Sequence, residues 1–380
     1  MRVLHVTSHL NLGGVAKHVL ALSKALVERG HRLEIASGGG ALAAELSGDG
    51  ISHATVPLHT SAEFSPQVFA AYWRLAARLR RQRVDLIHAH TRVSQVVADQ
   101  LSRSLHIPYL TTWHGFFQPN LGRRLWPCTG QLTIAISEPV RRHLQEEFRI
   151  PSSRIRLIPH GIDPSPFETP VTALERERLS GRIGLPRNVP LVGTVARLVA
   201  SKGVDRLMHT FTRIRRTVPE AHLLIVGDGE EREPLQRLAD SLGVLDAVHF
   251  AGALPDTRTA LSLMSLFVFL PADQEGFGLS LLEAMASGKP IVAVRRGGGA
   301  SWLLDESRVG VVVEPDDADA LADAAVRLLR DREAAQHLGN QARAIVKSHY
   351  SLSRMIDQVE AAYRELVDEG RPQTTVYRPL

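Results

Sequence analysis

The chain has 380 residues, 44% of them hydrophobic and 22% charged; this is a globular composition, long for one core, and it predicts two domains of ordinary size. A net charge of +5 and a pI near 9.6 suit phosphorylated ligands, anionic lipid or nucleic acid, but only 5% of residues are aromatic and no RNA- or DNA-binding signature is present, so nucleic acid is not expected as a partner. The single cysteine, Cys128, excludes an internal disulfide and any cysteine-based metal cluster.

Short β runs alternate with helical stretches. Residues 2–8 (RVLHVTS) read as a strand and 14–29 as an amphipathic helix. Further strands are predicted at 32–37, 54–58, 84–90, 109–113 and 132–137, with the clearest helices at 66–82 and 93–105. Between residues 155 and 190 the pattern pauses. Prolines 159, 164, 166, 170 and 186 and glycines 161, 181 and 184 mark a connector. A second alternating series follows, with strands at 191–196, 222–227, 248–251, 266–270, 291–294 and 309–313. Residues 318–367 read as helix without strand, and 370–380 as a loose tail. Alternation of buried V/I/L runs with helices predicts an α/β protein of two Rossmann-like domains with parallel sheets. The expected division is 1–165, 166–350, a C-terminal helix at 351–369 returning to the first domain, and the tail. Ligands of such sheets sit at the C-terminal ends of the strands, so two such edges facing each other would make a cleft.

The densest chemistry lies between Glu275 and Glu283 (EGFGLSLLE). A glycine-rich turn opening an apolar helix leaves backbone N–H groups unpaired, which suits a phosphate. Glu275 stands beside that turn. Glu283 lies inside the helix among Leu281, Leu282, Ala284, Met285 and Ala286, where a charge needs a partner. Arg197 ends the strand 191–196, and Lys202 and Gly203 precede a helix. Such a pair can neutralise a diphosphate, the arginine by a forked contact and the lysine as a point charge; it can also be two solvated loop cations. Gly13 and Gly14 allow a tight turn and close backbone approach after the first strand, or a simple strand-to-helix turn. They do not form the dinucleotide fingerprint. His114-Gly115 follows the strand 109–113, where an imidazole can hydrogen-bond or move a proton. His88 and His90 alternate on one strand with Asp85 nearby, but two imidazoles without a clear third ligand make a weak metal site, and no metal is expected.

These pieces, in this order, resemble the retaining glycosyltransferases of family four, which have the GT-B fold. The matching residues are Gly13-Gly14, DLIHAH (85–90), His114-Gly115, IAIS (134–137), IPHGID (158–163), Arg197 with Lys202-Gly203, IVGDGE (225–230) and EGFGLSLLEAMASGKPIVA (275–293). The likeness spans roughly residues 1 to 350. It implies donor binding by the second domain and acceptor binding mainly by the first. Arg197 and Lys202 would bind the donor pyrophosphate, and Gly276, Phe277, Gly278 and Leu279 would present backbone amides. Glu283 would hold the ribose, and Glu275 the donor sugar near the reacting carbon. Gly13 and Gly14 would close over the phosphate, and His114 would touch the sugar or phosphate as a catalytic residue. No cofactor is implied; the co-substrate would be a nucleotide-diphosphate sugar, UDP- or GDP-linked, and no metal would be required. Two departures stand out. The usual hinge Pro-Asn-Gly reads Pro159-His160-Gly161, and Ser301 stands where a Glu usually follows the glycines of residues 297–299.

Phe69, Tyr72 and Trp73 precede Arg74, Arg78, Arg80, Arg81 and Arg83. A basic helix with aromatics can lie on an anionic bilayer, or pack its aromatics and solvate its arginines. No apolar run is long enough to span a membrane, and the start breaks into polar residues too early for a secretory signal. A cytoplasmic protein, peripheral on the inner face of a membrane, is the expectation. The functional readings are a transferase acting on a lipid-linked, cell-envelope or polysaccharide acceptor, an epimerase-like enzyme of the same fold, and a non-catalytic nucleotide-sugar-binding paralogue.

Overall fold

The computed structural model describes residues 1–270, 275–296, 298–315 and 317–369; the tail read at 370–380 lies outside them. Two compact units emerge. Unit 1 comprises Met1–His160 and the segment from Ser353 onward, and unit 2 comprises Gly161–Leu352.

Unit 1 carries a seven-stranded sheet of β1 (Arg2–Val6), β2 (Arg32–Ser37), β3 (Ser52–Thr55), β4 (Leu86–Ala89), β5 (Tyr109–Trp113), β6 (Leu132–Ala135) and β7 (Ile155–Leu157), in the order β3-β2-β1-β4-β5-β6-β7. Every pairing is parallel. Parallel strands need crossover helices that cover both faces, and β4, β5 and β6 are accordingly buried at every residue. The helices Pro66–Arg81 and Arg92–Leu105 pack Val68, Leu75, Leu79, Val93, Val97 and Leu101 into one cluster with Leu4, Val6, Ile87 and Ala89. The register sets His5 of β1 beside His88 of β4.

The last helix, Leu352–Glu369, is bound to unit 1. Tyr363 Oη lies 2.7 Å from His88 Nδ1 and 3.1 Å from His5 Nε2. Arg29 reaches Asp357 at 2.6 Å and Glu360 at 2.9 Å.

Unit 2 carries six parallel strands: β8 (Leu191–Val195), β9 (His222–Val226), β10 (Val248–Gly252), β11 (Leu266–Phe269), β12 (Ile291–Val294) and β13 (Val311–Val313), in the order β10-β9-β8-β11-β12-β13. Its core joins Val192, Leu223, Ile225, Val268 and Val292 to Leu207, Phe211 and Ile214 of the helix Val204–Thr217 and to Leu321 and Leu328 of the helix Ala318–Arg330. Several strand ends differ from the sequence reading by one or two residues, and two differences have a local cause. The strand read at 54–58 begins two residues earlier and ends before Pro57, which has no N–H to give. β7 lies inside the stretch read as connector, because three residues are too few to show alternation.

Candidate functional site

In both sheets the order of strand addition reverses at one point, between β1 and β4 in unit 1 and between β8 and β11 in unit 2. Beyond the C-terminal ends of such a strand pair, α/β sheets leave room for a ligand.

In unit 2, Arg197 lies just beyond β8; its guanidinium is exposed and has no side-chain partner among the described residues. Lys202 ends a short 3-10 turn, Ala200–Lys202, ahead of Gly203. Beyond β11, Glu275 meets it: Lys202 Nζ donates to Glu275 Oε2, with the two side chains 21% and 19% exposed. Neighbouring strands thus bring together two residues that lie 73 apart in sequence.

Gly278 has φ +91°, and a Cβ there would stand 2.9 Å from Phe269 Cζ, so the turn needs glycine. The helix Leu279–Ala286 starts with no side-chain cap. The amides of Leu279 and Ser280 find no carbonyl among the described residues, since the first backbone bonds to Gly278 O come from Leu281 and Leu282. Uncapped first-turn amides are an anion site. Phe277 is 1% exposed, with its ring toward Tyr350 and Trp302; only its backbone can face a ligand. Glu283 has a partner its apolar neighbours demand, because Thr257 Oγ1 donates to its Oε2 at 2.8 Å. The Gly299 amide donates to Glu275 O at 2.8 Å, and Ser301 Oγ bonds Arg296 O, so Ser301 closes the turn locally.

In unit 1, Gly13 precedes the helix Gly14–Glu28, which also lacks a side-chain cap. Its φ of 169° is extended backbone, and the nearest atom to an added Cβ is Asn11 O at 3.9 Å. Nothing within the fold of unit 1 requires glycine at this position. His114 follows β5, and its ring stacks on His160 at 5.2 Å and 17°. Both of its nitrogens already face imidazoles: Nε2 is 3.3 Å from His90 Nδ1 and Nδ1 is 3.3 Å from His160 Nε2. The sequence reading expected His114 to touch a sugar or phosphate; direct donation requires one of these contacts to open.

Sequence reasoning missed the cluster around it. His5, His18, His88, His90, His114 and His160 pack with neighbouring ring centroids 4.0–5.8 Å apart. The sequence offers His88 and His90 no clear third metal ligand; the fold brings further imidazoles beside them. The signal was present in His18, one helical turn past Gly14, and in His160, the substituted hinge residue. Burial pushes His5 and His18 down to about 3, His18 adding repulsion at His5. Burial first, and neighbouring imidazoles second, hold His88, His90, His114 and His160 well below the usual range. The cluster is neutral at pH 7. Asp85 is occupied elsewhere, accepting the Arg2 amide at 2.7 Å.

A cavity of about 1010 Å³ opens at the other edge of the unit 2 sheet, lined by Arg176, Ser180, Pro190, Leu191, Pro290 and Arg332. It lies at strand N-terminal ends, away from Lys202 and Glu275. The strand-end site is the better candidate because an ion pair and a helix start with uncapped amides both lie beyond strand C-terminal ends there.

Residues 12–166 match the model of Glycosyltransferase Family 4, and residues 175–345 match that of Glycosyl transferases group 1. The chain is 25% identical to the N-acetyl-alpha-D-glucosaminyl L-malate synthase of Bacillus anthracis, over 96% of this chain and 97% of the relative. It is 37% identical to a GDP-mannose-dependent alpha-(1-6)-phosphatidylinositol monomannoside mannosyltransferase of Mycolicibacterium smegmatis, over half of each chain. Anabaena HepE, solved in complex with UDP-glucose, superposes with a TM-score of 0.83 at 21% identity, over 96% of this chain and all of that one. Fold and matched family models define a GT-B protein. The chain belongs to the glycosyltransferases of family four.

Proposed function

We propose that this protein moves a glycosyl group from a nucleotide-diphosphate sugar to an acceptor hydroxyl with retention of configuration, and that unit 2 holds the donor. The observation that carries this reading is the Lys202–Glu275 ion pair at the switch point of unit 2, beside the uncapped amides of Leu279 and Ser280. Glu275 is the counter-charge of Lys202. A diphosphate takes that place and releases Glu275 toward the hydroxyls of the donor sugar. Arg197 supplies the forked contact, and Glu283 hydrogen-bonds the ribose. The relatives named for GDP-mannose and L-malate glycosylation support a sugar-transfer role.

Breaking the bond between anomeric carbon and phosphate leaves negative charge on the nucleotide. Cations and amides already aimed at that charge lower the barrier without rearrangement, and this chemistry does not require a metal at the diphosphate. Retention follows from same-face attack, in which the leaving phosphate oxygen takes the proton of the acceptor hydroxyl. From unit 1 the reading keeps Gly13 and Gly14 as a place where phosphate approaches backbone. It keeps His114 as a neutral hydrogen-bonding group for a sugar or phosphate oxygen.

The acceptor is proposed to be lipid-linked or part of a cell-envelope polymer, with unit 1 touching an anionic bilayer. Phe69 and Trp73, four residues apart on the helix Pro66–Arg81, are 46% and 61% exposed. Arg74, Arg80 and Arg81 are exposed on the same helix, which combines apolar anchor with positive charge. No helix among the described residues is long and apolar enough to cross a membrane. Flotation with anionic liposomes tests this; equal partitioning with neutral ones discards it.

Thermal shift against UDP-, GDP- and ADP-sugars tests the donor, since a ligand at a hundred times its Kd adds about 2.7 kcal/mol of stability. One nucleotide class should raise the Tm of the wild type and not of Lys202→Ala. A flat response to all three overturns the donor site. Binding without hydrolysis or transfer marks a non-catalytic paralogue.

A further inference from the structure

We propose that the cavity at the N-terminal edge of the unit 2 sheet is a binding site for one small phosphorylated molecule with an aliphatic body, separate from the donor site. The cavity measures about 1010 Å³ and is lined by Arg176, Arg187 and Arg332; its volume is that of a small-molecule site. Of its other lining residues, Leu191 opens β8, Ser265 precedes β11 and Pro290 precedes β12. The opposite ends of β8 and β11 lead to Lys202 and Glu275. A five-residue strand such as β8 spans about 17 Å, so the two sites do not overlap.

The charge of the cavity calls for an anion. Glu177 is the one carboxylate among the described lining residues, and Arg187 Nη2 engages it at 3.1 Å. Arg176 and Arg332 are exposed and have no ion-pair partner among the described residues. Arg332 is the first residue of the helix Arg332–His349, the end where the helix dipole disfavours a cation. Lys289 lies between the lining residues Gly288 and Pro290. Its ammonium donates to Ser262 O at 3.3 Å and Met264 O at 2.8 Å. Arg343 packs against Gly288 and donates to Ser287 O at 3.0 Å, while its Nε is buried without a partner. Burial first, then Arg176 and Arg343, push Lys289 down to about 8, the mark of a positive site short of counter-charge. Phosphate, which accepts forked contacts from guanidinium, is the complementary group.

The walls select the body of the ligand. Leu185, Val189, Leu263 and Leu329 line the cavity, and each is only partly buried, so aliphatic surface remains to be covered. Bases stack on aromatic side chains, and no aromatic residue is among the described lining residues, which disfavours a nucleotide. Guanidinium groups beside aliphatic walls fit a phosphate head on a short alkyl or isoprenyl chain. A lipid headgroup in a bilayer shares that chemistry, but a concave site of this volume suits the free molecule.

The test uses the full chain and octyl phosphate below its micelle concentration, titrated by calorimetry without any sugar nucleotide. It is run in Lys202→Ala, because a phosphate can also enter the donor site of the wild type. One octyl phosphate per chain is expected, with the methyl signals of Leu185, Leu263 and Leu329 shifting in proton–carbon spectra. Adding Arg176→Ala and Arg332→Ala should weaken that binding at least about tenfold, in a chain with unchanged circular dichroism. Octyl glucoside has the tail without the charge, and inorganic phosphate the charge without the tail; each should bind at least about tenfold more weakly. Absence of octyl phosphate binding overturns the proposal. So does binding unchanged by the arginine substitutions, or matched by octyl glucoside or by inorganic phosphate. Anionic vesicles held through Arg176 and Arg332 when octyl phosphate is not would mark a membrane contact and overturn it as well. None of these failures touches the donor reading, which rests on sugar-nucleotide binding by the wild type.

Discussion

Over six strands the two units wind their sheets in the same order but fill their switch points with opposite chemistry. Within and just beyond β1 and β4 stand buried, neutral imidazoles. Beyond β8 and β11 stand a half-buried lysine–glutamate pair, an exposed arginine and two bare amides. Burial accounts for the contrast. Imidazole sheds its proton when withdrawn from water, whereas ammonium and carboxylate stay charged only with a partner or near solvent. The same topology therefore offers one edge suited to neutral nitrogen chemistry and another suited to a polyanion.

Acid should break this symmetry most strongly. Each buried imidazole is neutral when folded and takes a proton when unfolded below its ordinary value of 6.5. The unfolded state then binds more protons, so stability falls as pH drops from about 6.5 toward 3. Each buried ring contributes up to about 1.4 kcal/mol per pH unit, and the cluster several kcal/mol by pH 5. Hydrogen exchange at pH 5 should show β1, β4 and β5 opening while β8 and β11 stay protected. Equal protection in both units would contradict the neutral cluster.

The charged edge should be sensitive to loss of charge instead. Lys202→Ala or Glu275→Ala is expected to lower turnover more than a hundredfold, about 2.7 kcal/mol of transition-state stabilisation, in a chain with unchanged circular dichroism. Rates near wild type with the true substrates would sink the assignment. Glu283→Gln should raise the donor KM about tenfold, roughly 1.4 kcal/mol, with kcat less affected; a selective fall in kcat would move Glu283 from ribose binding to chemistry.

Two glycines give the finest comparison. Gly278→Ala puts a Cβ against Phe269 at positive φ and should cost about 1–2 kcal/mol in thermal or denaturant unfolding. Gly13→Ala meets open space in extended backbone and should change stability by less than about 0.5 kcal/mol while weakening donor-dependent activity. Full activity in Gly13→Ala would make that glycine incidental.

The alternation of strand and helix, the double series of strands and the glycine turn ahead of residues 279–286 were legible in the chain itself. Each rests on periodicity or backbone freedom within a few residues, and such local preferences act wherever the segment ends up. The strand β7 was not legible, because its pairing with β6 rather than its composition makes it a strand. Glu283 was read as needing a partner, but only packing brought Thr257 to it. Lys202 and Glu275 were read as neighbours in role; their contact depends on β8 lying beside β11. The histidines make the limit clearest. His5, His18, His90, His114 and His160 come from separate elements, and no spacing along the chain encodes their meeting. Sheet order and register brought them together, and burial then made them neutral, because proximity and desolvation are properties of the folded chain alone.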